Sequence, residues 1–574
     1  MSYVIHILNM CLIWAMLGVS LNLLLGYTGL MSMGHAAFFT VGAYGSALIA
    51  IHLGVNFYFA MLLGILIGVL IGFLTAVPAL RVRDDYLILL TLGIQMVTYG
   101  VVVAGIRFTG GTQGLTNIPP PTFFGIKLQS AISFLPLILI FCAIVVAISL
   151  RLINSPFGRV LRAIRDDDIA ARSVGKNVTI IKVIVFAIAS GMAAMAGSIY
   201  AHYSGFIAAS SFTVDQSIAM VVVVIVGGTA NIWGSVVGAV VMVVLPQLIN
   251  YIPGTALLIS PIREVVYGAM LILFIRFRPQ GLIPENVTFR TKKPVVPDNK
   301  DSNMKDVLAN SNSTFANIPV SQREVALQAN NLYKHFGGVL ATDNASFSLH
   351  KGTITALIGP NGAGKTTIFN LLTGFIQADK GTVIYRGRDI TRLPPYLISR
   401  IGMTRSFQEV RLFRRMSVID NVMTVFPKQA GENFFRLFFN PWLVKKQEQE
   451  NQQQAMAWLG FVGLQNKAQE LAGDISFAEQ KLLVLACVLA TGSDVLLLDE
   501  VVSGIDPEAI NKELDLLRKI ADSGKAICII EHNIDVVKRV ADIVYFLASG
   551  QVIASGTPGE LTSNPELTKM YFGT

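Results

Sequence analysis

The sequence predicts two folds in one chain: an N-terminal polytopic α-helical membrane domain, then a C-terminal α/β domain of the P-loop nucleotide-binding class. Three observations carry this prediction. Residues 1–284 hold repeated apolar runs, each near the ~20 residues needed to cross a bilayer. Residues Gly359–Thr366 read Gly-Pro-Asn-Gly-Ala-Gly-Lys-Thr, a full G-x-x-x-x-G-K-[ST] phosphate-binding loop. Between them, residues 285–322 turn polar and lose periodicity, as a flexible linker does. The remainder, 323–574, alternates short β-branched strands with amphipathic helices. With hydrophobic residues at 53%, charged residues at 14% and mean hydropathy at +0.59, an ordinary soluble protein is excluded.

The membrane half reads in order as runs near 4–26, 35–52, 57–80, 85–106, 131–153, 180–204, 217–247 and 255–276. The first begins at about Val4, lacks a basic flank and leads straight into more apolar sequence. It reads as a first span, not a cleaved signal. Frequent glycine and alanine suit close helix packing in lipid. The loop 151–182 carries Arg151, Arg159, Arg162, Arg165, Arg172, Lys176 and Lys182 and is expected in the cytoplasm. Such loops account for the net charge of +9 without invoking nucleic acid. Parity then raises a conflict, because an odd number of apolar runs separates that loop from the cytoplasmic C-terminal half. The run 217–247 is the suspect, interrupted by Gly227-Gly228-Thr229-Ala230-Asn231-Ile232-Trp233-Gly234. It reads as two short spans or a re-entrant pair broken near 227–234, about 8–9 spans in all; one long tilted helix is the alternative. The glycine-rich Gly26–Gly34 and Gly227–Gly234 stretches are candidates to line a polar pathway. His35, within an apolar stretch, is expected to pack or cap between helices. The four cysteines, Cys11, Cys142, Cys487 and Cys528, are far apart and read as unpaired buried thiols.

In the C-terminal half, Thr353–Ile358 reads as a buried strand, the glycine loop follows, and Thr367 opens a helix through Leu372. That context is what gives the motif its meaning. The loop Gly359, Pro360, Asn361, Gly362, Ala363 and Gly364, with Thr367 on the helix N-terminus, offers backbone N–H groups to phosphate. Lys365 is placed to reach the β- and γ-phosphates of ATP, and Thr366 to coordinate Mg²⁺. Val495-Leu496-Leu497-Leu498-Asp499-Glu500 is a hydrophobic strand ending in two acids. Alone it would be a strand and a surface turn. Beside the glycine loop, Asp499 fits a Mg²⁺-side aspartate, and Glu500 a base that orients the attacking water.

These residues resemble an ABC-transporter ATPase, and within that family the ATPases of branched-chain amino-acid uptake. Gly402-Met403-Thr404-Arg405-Ser406-Phe407-Gln408, then Val410-Arg411-Leu412-Phe413, carries the resemblance most strongly. It implies that Gln408 senses Mg²⁺ and water and links to the membrane domain. It implies further that His532, in Glu531-His532, contacts the γ-phosphate, that Asp506 lies in a loop crossing a dimer interface, and that Phe336 stacks on adenine. One motif departs. Where the family has Leu-Ser-x-Gly-Gln, this chain has Ile475-Ser476-Phe477-Ala478-Glu479. Ser476 is kept, Ala478 replaces a glycine, and Glu479 either sets an acid near the partner's ATP or caps its own helix. A site weaker than consensus is the expectation.

The membrane half resembles the permeases of the same uptake family. Leu21–Phe39, Gly42-Ala43-Tyr44, Leu80–Tyr86, Thr109–Gly114 and Arg278–Leu282 carry this. Ser155–Arg165 and on to Gly175 resembles its coupling loop, a short basic amphipathic helix able to dock on the ATPase. Together the two resemblances imply an ATP-driven importer subunit with permease and ATPase fused, multi-pass in a bacterial cytoplasmic (inner) membrane, with the ATPase in the cytoplasm. They imply ATP and Mg²⁺ as cofactors. The implied partners are a second permease/ATPase chain, identical or paralogous, a periplasmic or lipid-anchored substrate-binding protein, and membrane lipid. The small-molecule substrate implied is a branched-chain amino acid, with urea, amides or aromatic acids as alternatives. A membrane-anchored regulatory ATPase is the reading from another class. The short loops between spans argue against an exporter.

Overall fold

A computed structural model describes residues 2–79, 84–123, 126–249, 259–285, 319–504 and 507–563. Most of the 285–322 linker, most of the Leu80–Tyr86 stretch, and Asp506 therefore lie outside the described residues. The chain divides into two compact units: Met1–Leu161 with Thr179–Pro294, and Arg162–Val178 with Val295–Thr574.

In the first unit, among the described residues, seven helices are long and apolar enough to cross a membrane. They are Ser2–Thr28, His35–Leu53, Phe57–Pro78, Tyr86–Ala104, Ala131–Ile153, Val178–Ser204 and Ala209–Gly227, with shorter apolar helices at Ile232–Gln247 and Gly268–Phe277. Small residues bring them close. A Cβ on Gly42 would fall 2.0 Å from the Ala194 carbonyl oxygen, and one on Gly197 2.0 Å from that of Phe39. His35 is fully buried at the start of its helix, 2.8 Å from the Ser20 hydroxyl.

The helix Val214–Gly227 ends and Ile232–Ile249 begins across a sharp turn with Gly228 at φ 130° and Ala230 at φ 58°. Backbone polar groups freed at a buried turn between apolar helices need partners, and here protein supplies them. The fully buried Asn22 donates to the carbonyls of Gly228 (3.3 Å) and Asn231 (2.9 Å) and to the Ser235 hydroxyl (2.7 Å). Its own side-chain oxygen accepts the Ala230 N–H at 2.9 Å. Behind the turn, Leu282 and Ile283 donate to the Val226 and Gly227 carbonyls at 2.9 and 3.0 Å. Of the two glycine-rich stretches, Gly26–Gly34 and Gly227–Gly234, the first meets the second at Gly26 in this conformation. A Cβ on Gly26 would sit 2.3 Å from the Ala230 nitrogen, so the two stretches close on each other.

The second unit holds a six-stranded sheet in the order Gln551–Gly556, Ile543–Ala548, Ile354–Ile358, Ala526–Ile530, Val495–Asp499, Met403–Arg405. All its pairings are parallel except that between the first two strands. Its central strands are buried throughout, which is why they read as unbroken apolar runs. An antiparallel sheet of Val339–His350, Val325–Phe336, Lys380–Tyr385 and Arg388–Asp389 packs on the same core. A helical subdomain with its own core, including Val418, Val422, Leu459 and Leu483, completes the unit.

Candidate active site

Parallel strands bring their carboxyl ends to one edge, and whatever follows each strand meets there. The glycine loop follows Ile354–Ile358, Glu500 follows Val495–Asp499, His532 follows Ala526–Ile530, and Gln408 follows Met403–Arg405. Sequence separations of over a hundred residues are thereby erased.

The loop turns through left-handed backbone at Gly359 (φ 150°), Gly362 (80°) and Gly364 (97°). A side chain at Gly359 would strike the Leu547 carbonyl at 2.0 Å, and one at Gly364 the Ala341 carbonyl at 2.3 Å, so glycine is required at both. Asn361, Gly362 and Thr366 remain exposed, while Pro360 and Thr367 are half-buried and Ala363 is buried. Lys365, opening the helix Lys365–Leu372, folds over its own loop and donates to the Gly359 (2.7 Å) and Pro360 (2.9 Å) carbonyls. Burial lowers its ammonium pKa, against the pull of Asp499 and Glu500.

Asp499 is buried. Burial raises its carboxyl pKa, and the Arg405 guanidinium 3.3 Å away opposes the rise. Arg405 is itself buried, bonds the Asn370 side chain of the loop helix at 2.5 Å, and faces the rings of Phe369 and Phe407. It ties the aspartate to the phosphate loop, a role that reading the sequence did not assign. Glu500 adopts φ 50°, a region sparsely used by non-glycine residues and concentrated at functional sites. Gln408 donates to Glu500 Oε1 at 2.8 Å, and His532 Nε2 lies 3.3 Å from the same oxygen. Three residues named from separate motifs thus meet at one carboxylate. Beneath them the buried Lys481 ammonium donates to the carbonyls of Glu500 (2.9 Å), Val501 (3.0 Å) and Ser503.

Phe336 ends its strand and is 46% exposed. Ser476 caps the helix Phe477–Ala490 in a reciprocal box: its hydroxyl and N–H both donate to Glu479 Oε2, at 2.8 and 3.0 Å. The Lys467 ammonium donates to the same carboxylate at 2.9 Å. Of the two roles open to Glu479, helix capping is realised.

Residues Arg162–Val178 seat on this unit. Asp167 accepts from Arg411 at 2.8 Å, Asp166 accepts the Arg415 N–H at 3.0 Å, and the Gly175 carbonyl accepts from Arg400 at 2.8 Å. The buried Lys176 donates to Glu432 and to the Phe426 carbonyl, and Val174 packs on the helical core. Two acids, Asp166 and Asp167, make these contacts alongside Lys176, whereas basic charge is what the sequence advertises.

Residues 3–275 match the family described as branched-chain amino acid transport system / permease component, and residues 342–503 match the family described as ABC transporter. The high-affinity branched-chain amino acid transport ATP-binding protein LivG of Salmonella typhimurium is 37% identical over 249 residues, 43% of this chain and 97% of that protein. The probable LivG of Archaeoglobus fulgidus is 35% identical over 247 residues, 43% of this chain and 95% of that protein. A crystal structure of a nucleotide-free ATP-binding cassette from an ABC transporter aligns with TM-score 0.39 and 30% identity, over 44% of this chain and all of that one.

Proposed function

The chain belongs to the ABC transporters of the branched-chain amino-acid transport family, with permease and ATPase in one polypeptide, and on that premise we propose that it imports branched-chain amino acids across a bacterial cytoplasmic membrane. It binds ATP and couples its hydrolysis to transport. The observation that carries the proposal is the seating of Arg162–Val178, which precedes a membrane helix, on the stretch that begins three residues after Gln408. A shift of Gln408 at Glu500 is then felt at Asp166 and Asp167, and through them by the membrane helices. We place the permease at 1–284, the linker at 285–322 and the ATPase at 323–574.

In the proposed chemistry Glu500 accepts a proton from the attacking water. Gln408 and His532 fix its Oε1, which leaves Oε2 to face the water. Lys365 leaves its loop carbonyls for the β- and γ-phosphates, and Phe336 stacks on the adenine. The oxygens of Thr366, Asp499 and Gln408 fit Mg²⁺, a hard cation that takes few protein ligands and completes its shell with phosphates and water. Among the described residues no group of three or more His, Cys, Asp or Glu could hold a metal ion without such help. When bound, Mg²⁺ neutralises charge on the transferred phosphoryl group. Ser476 faces a partner's ATP, and by resemblance Asp506 lies in the loop that crosses to the partner, so the working unit is a pair: two copies, or this chain with a paralogous permease and ATPase. A periplasmic or lipid-anchored binding protein delivers the substrate.

Uptake of labelled leucine into proteoliposomes holding the full chain, ATP and the binding protein tests this. Saturable uptake that valine and isoleucine compete away is expected. Competition by urea or aromatic acids alone would move the substrate. ATP hydrolysis without uptake of any candidate would favour the regulatory ATPase.

A further inference from the structure

The nucleotide site makes no use of the stretch Asn433–Gln447 in the helical subdomain. Asn433 caps a short helix, Phe434–Phe439, and Asn440 caps the next, Pro441–Val462. Leu437 and Val444 are buried and pin both helices to the domain. What they leave outside is unusual: Phe435 is 69% exposed, Phe439 84% and Trp442 83%. Phe435 and Phe439 stand at i and i+4, on one helical face. Bulky aromatics fixed in water by a folded segment mark a surface that something covers.

Two further observations identify the cover. From Asn433 to Gln447 the only charged side chains are Arg436, Lys445 and Lys446, all exposed, so the patch is an apolar face with a cationic rim. The residue before it, Glu432, accepts a hydrogen bond from Lys176. Two residues after Lys176 the chain enters Val178–Ser204, a helix long and apolar enough to cross the bilayer. An ion pair and a few residues of chain therefore tether the patch to the point where the polypeptide meets lipid.

We propose that Asn433–Lys446 is an interfacial membrane anchor. Phe435, Phe439 and Trp442 enter the headgroup–acyl boundary of the cytoplasmic leaflet, and Arg436, Lys445 and Lys446 pair with anionic lipid phosphates. Aromatic bodies with a basic rim are the composition such segments use. The anchor holds the ATPase at the membrane independently of the covalent linker. The proposal rests on the membrane reading of the N-terminal half, not on the substrate.

The four native cysteines are buried, so Trp442→Cys or Phe439→Cys presents the accessible thiol for an environment-sensitive fluorophore. The full chain is placed in nanodiscs of phosphatidylcholine with or without phosphatidylglycerol, and with or without bromine on the acyl chains. Burial of ~5–10 Å, as for other interfacial segments, predicts that bromine removes about half the emission in anionic discs and less in zwitterionic ones. Arg436→Gln/Lys445→Gln/Lys446→Gln should erase the difference between the two lipids. A label on Asp515→Cys, on an exposed face of another helix, should not respond. Emission at 439 and 442 indifferent to bromine in every disc overturns the proposal. A blue-shifted label that bromine does not reach also overturns it, because protein then covers the patch. Leucine uptake by the unsubstituted chain in proteoliposomes keeps the readings apart, since absent uptake with persistent quenching in the labelled variants counts against the transport reading alone.

Discussion

Two glycine-rich interruptions, Gly359–Gly364 in the ATPase unit and Gly227–Gly234 in the membrane unit, use the same backbone freedom to opposite ends. Each turns the chain through left-handed conformations and brings backbone against backbone. At the phosphate loop the close approach is from behind, to the Leu547 and Ala341 carbonyls, and Gly362 and Thr366 stay open to a ligand. At the membrane break the close approach is from in front. Asn22 and the Leu282–Ile283 tail occupy the polar groups that a ligand would need. Glycine content shows where the chain bends; the residues opposite decide whether the bend is a site or a clamp.

The largest effect should come from the wall facing the open loop. Glu500→Gln keeps the shape and the partners at Gln408 and His532 but removes the base. ATP turnover of the reconstituted chain should fall ~10²-fold or more, the scale of lost general-base catalysis, while binding of a labelled ATP analogue is retained. Turnover within a few-fold of wild type would show that the carboxylate is not the base.

The clamp is broken by Asn22→Ala, which takes the acceptor from the buried Ala230 N–H and a donor from the Gly228 carbonyl, at a cost of about 1–3 kcal/mol for a group left unsatisfied, while the Asn231 carbonyl keeps the Ser235 N–H. A lower melting temperature and reduced uptake are expected, with basal ATPase activity kept. Unchanged melting and uptake would mean that water lines the break after all, and the contrast between the two loops would collapse.

What the sequence could announce follows the same division. The phosphate loop was legible because phosphate chemistry fixes both residue type and spacing, and Asp499–Glu500 gained meaning beside it. Gln408 and His532 were legible only through family resemblance, since a glutamine or histidine in isolation signals nothing. Asn22 and Arg405 were not legible as functional. Each is a polar residue whose partners lie far along the chain, Asn22 more than 200 residues away. Their burial, which makes them consequential, is a property of the fold. In the Arg162–Val178 segment the basic residues drew attention by number, yet Asp166 and Asp167 meet Arg415 and Arg411. Complementarity cannot be seen until both faces are present.

The polar knots behind the two turns also differ in charge, and pH separates them. The Asn22 knot contains no titratable group. Behind Glu500, burial pushes the Glu513 carboxyl from 4.5 up to about 7, with Lys481 opposing, and Glu531 is raised for the same reason. A carboxyl whose folded pKa is raised holds a proton that the unfolded chain has lost. Stability therefore falls as pH rises from about 4.5 to 7, by about 1.4 kcal/mol per unit for one such group, and levels off above. Glu513→Gln should flatten the melting-temperature slope of the ATPase transition over this window, leaving the Glu531 share. A slope equal to wild type would place the Glu513 proton elsewhere.

The smallest effect bears on the partner's phosphate loop, which this chain's Ser476 would complete. The serine hydroxyl is committed to Glu479, and that acid is held ionised by Lys467, whose hydrogen bond lowers its pKa. A phosphate arriving at this helix N-terminus meets a favourable dipole, an engaged serine and a carboxylate already half-neutralised. The opposing terms nearly cancel, so Ala478→Gly/Glu479→Gln should raise ATP turnover only ~2–5-fold, the scale of a single charge at a helix end. No gain would sink the idea of a weakened site. Lys467→Gln supplies the opposite arm: it leaves the Glu479 charge uncovered and should slow turnover, and a rate unchanged in both variants would mean that this helix end does not meet phosphate at all.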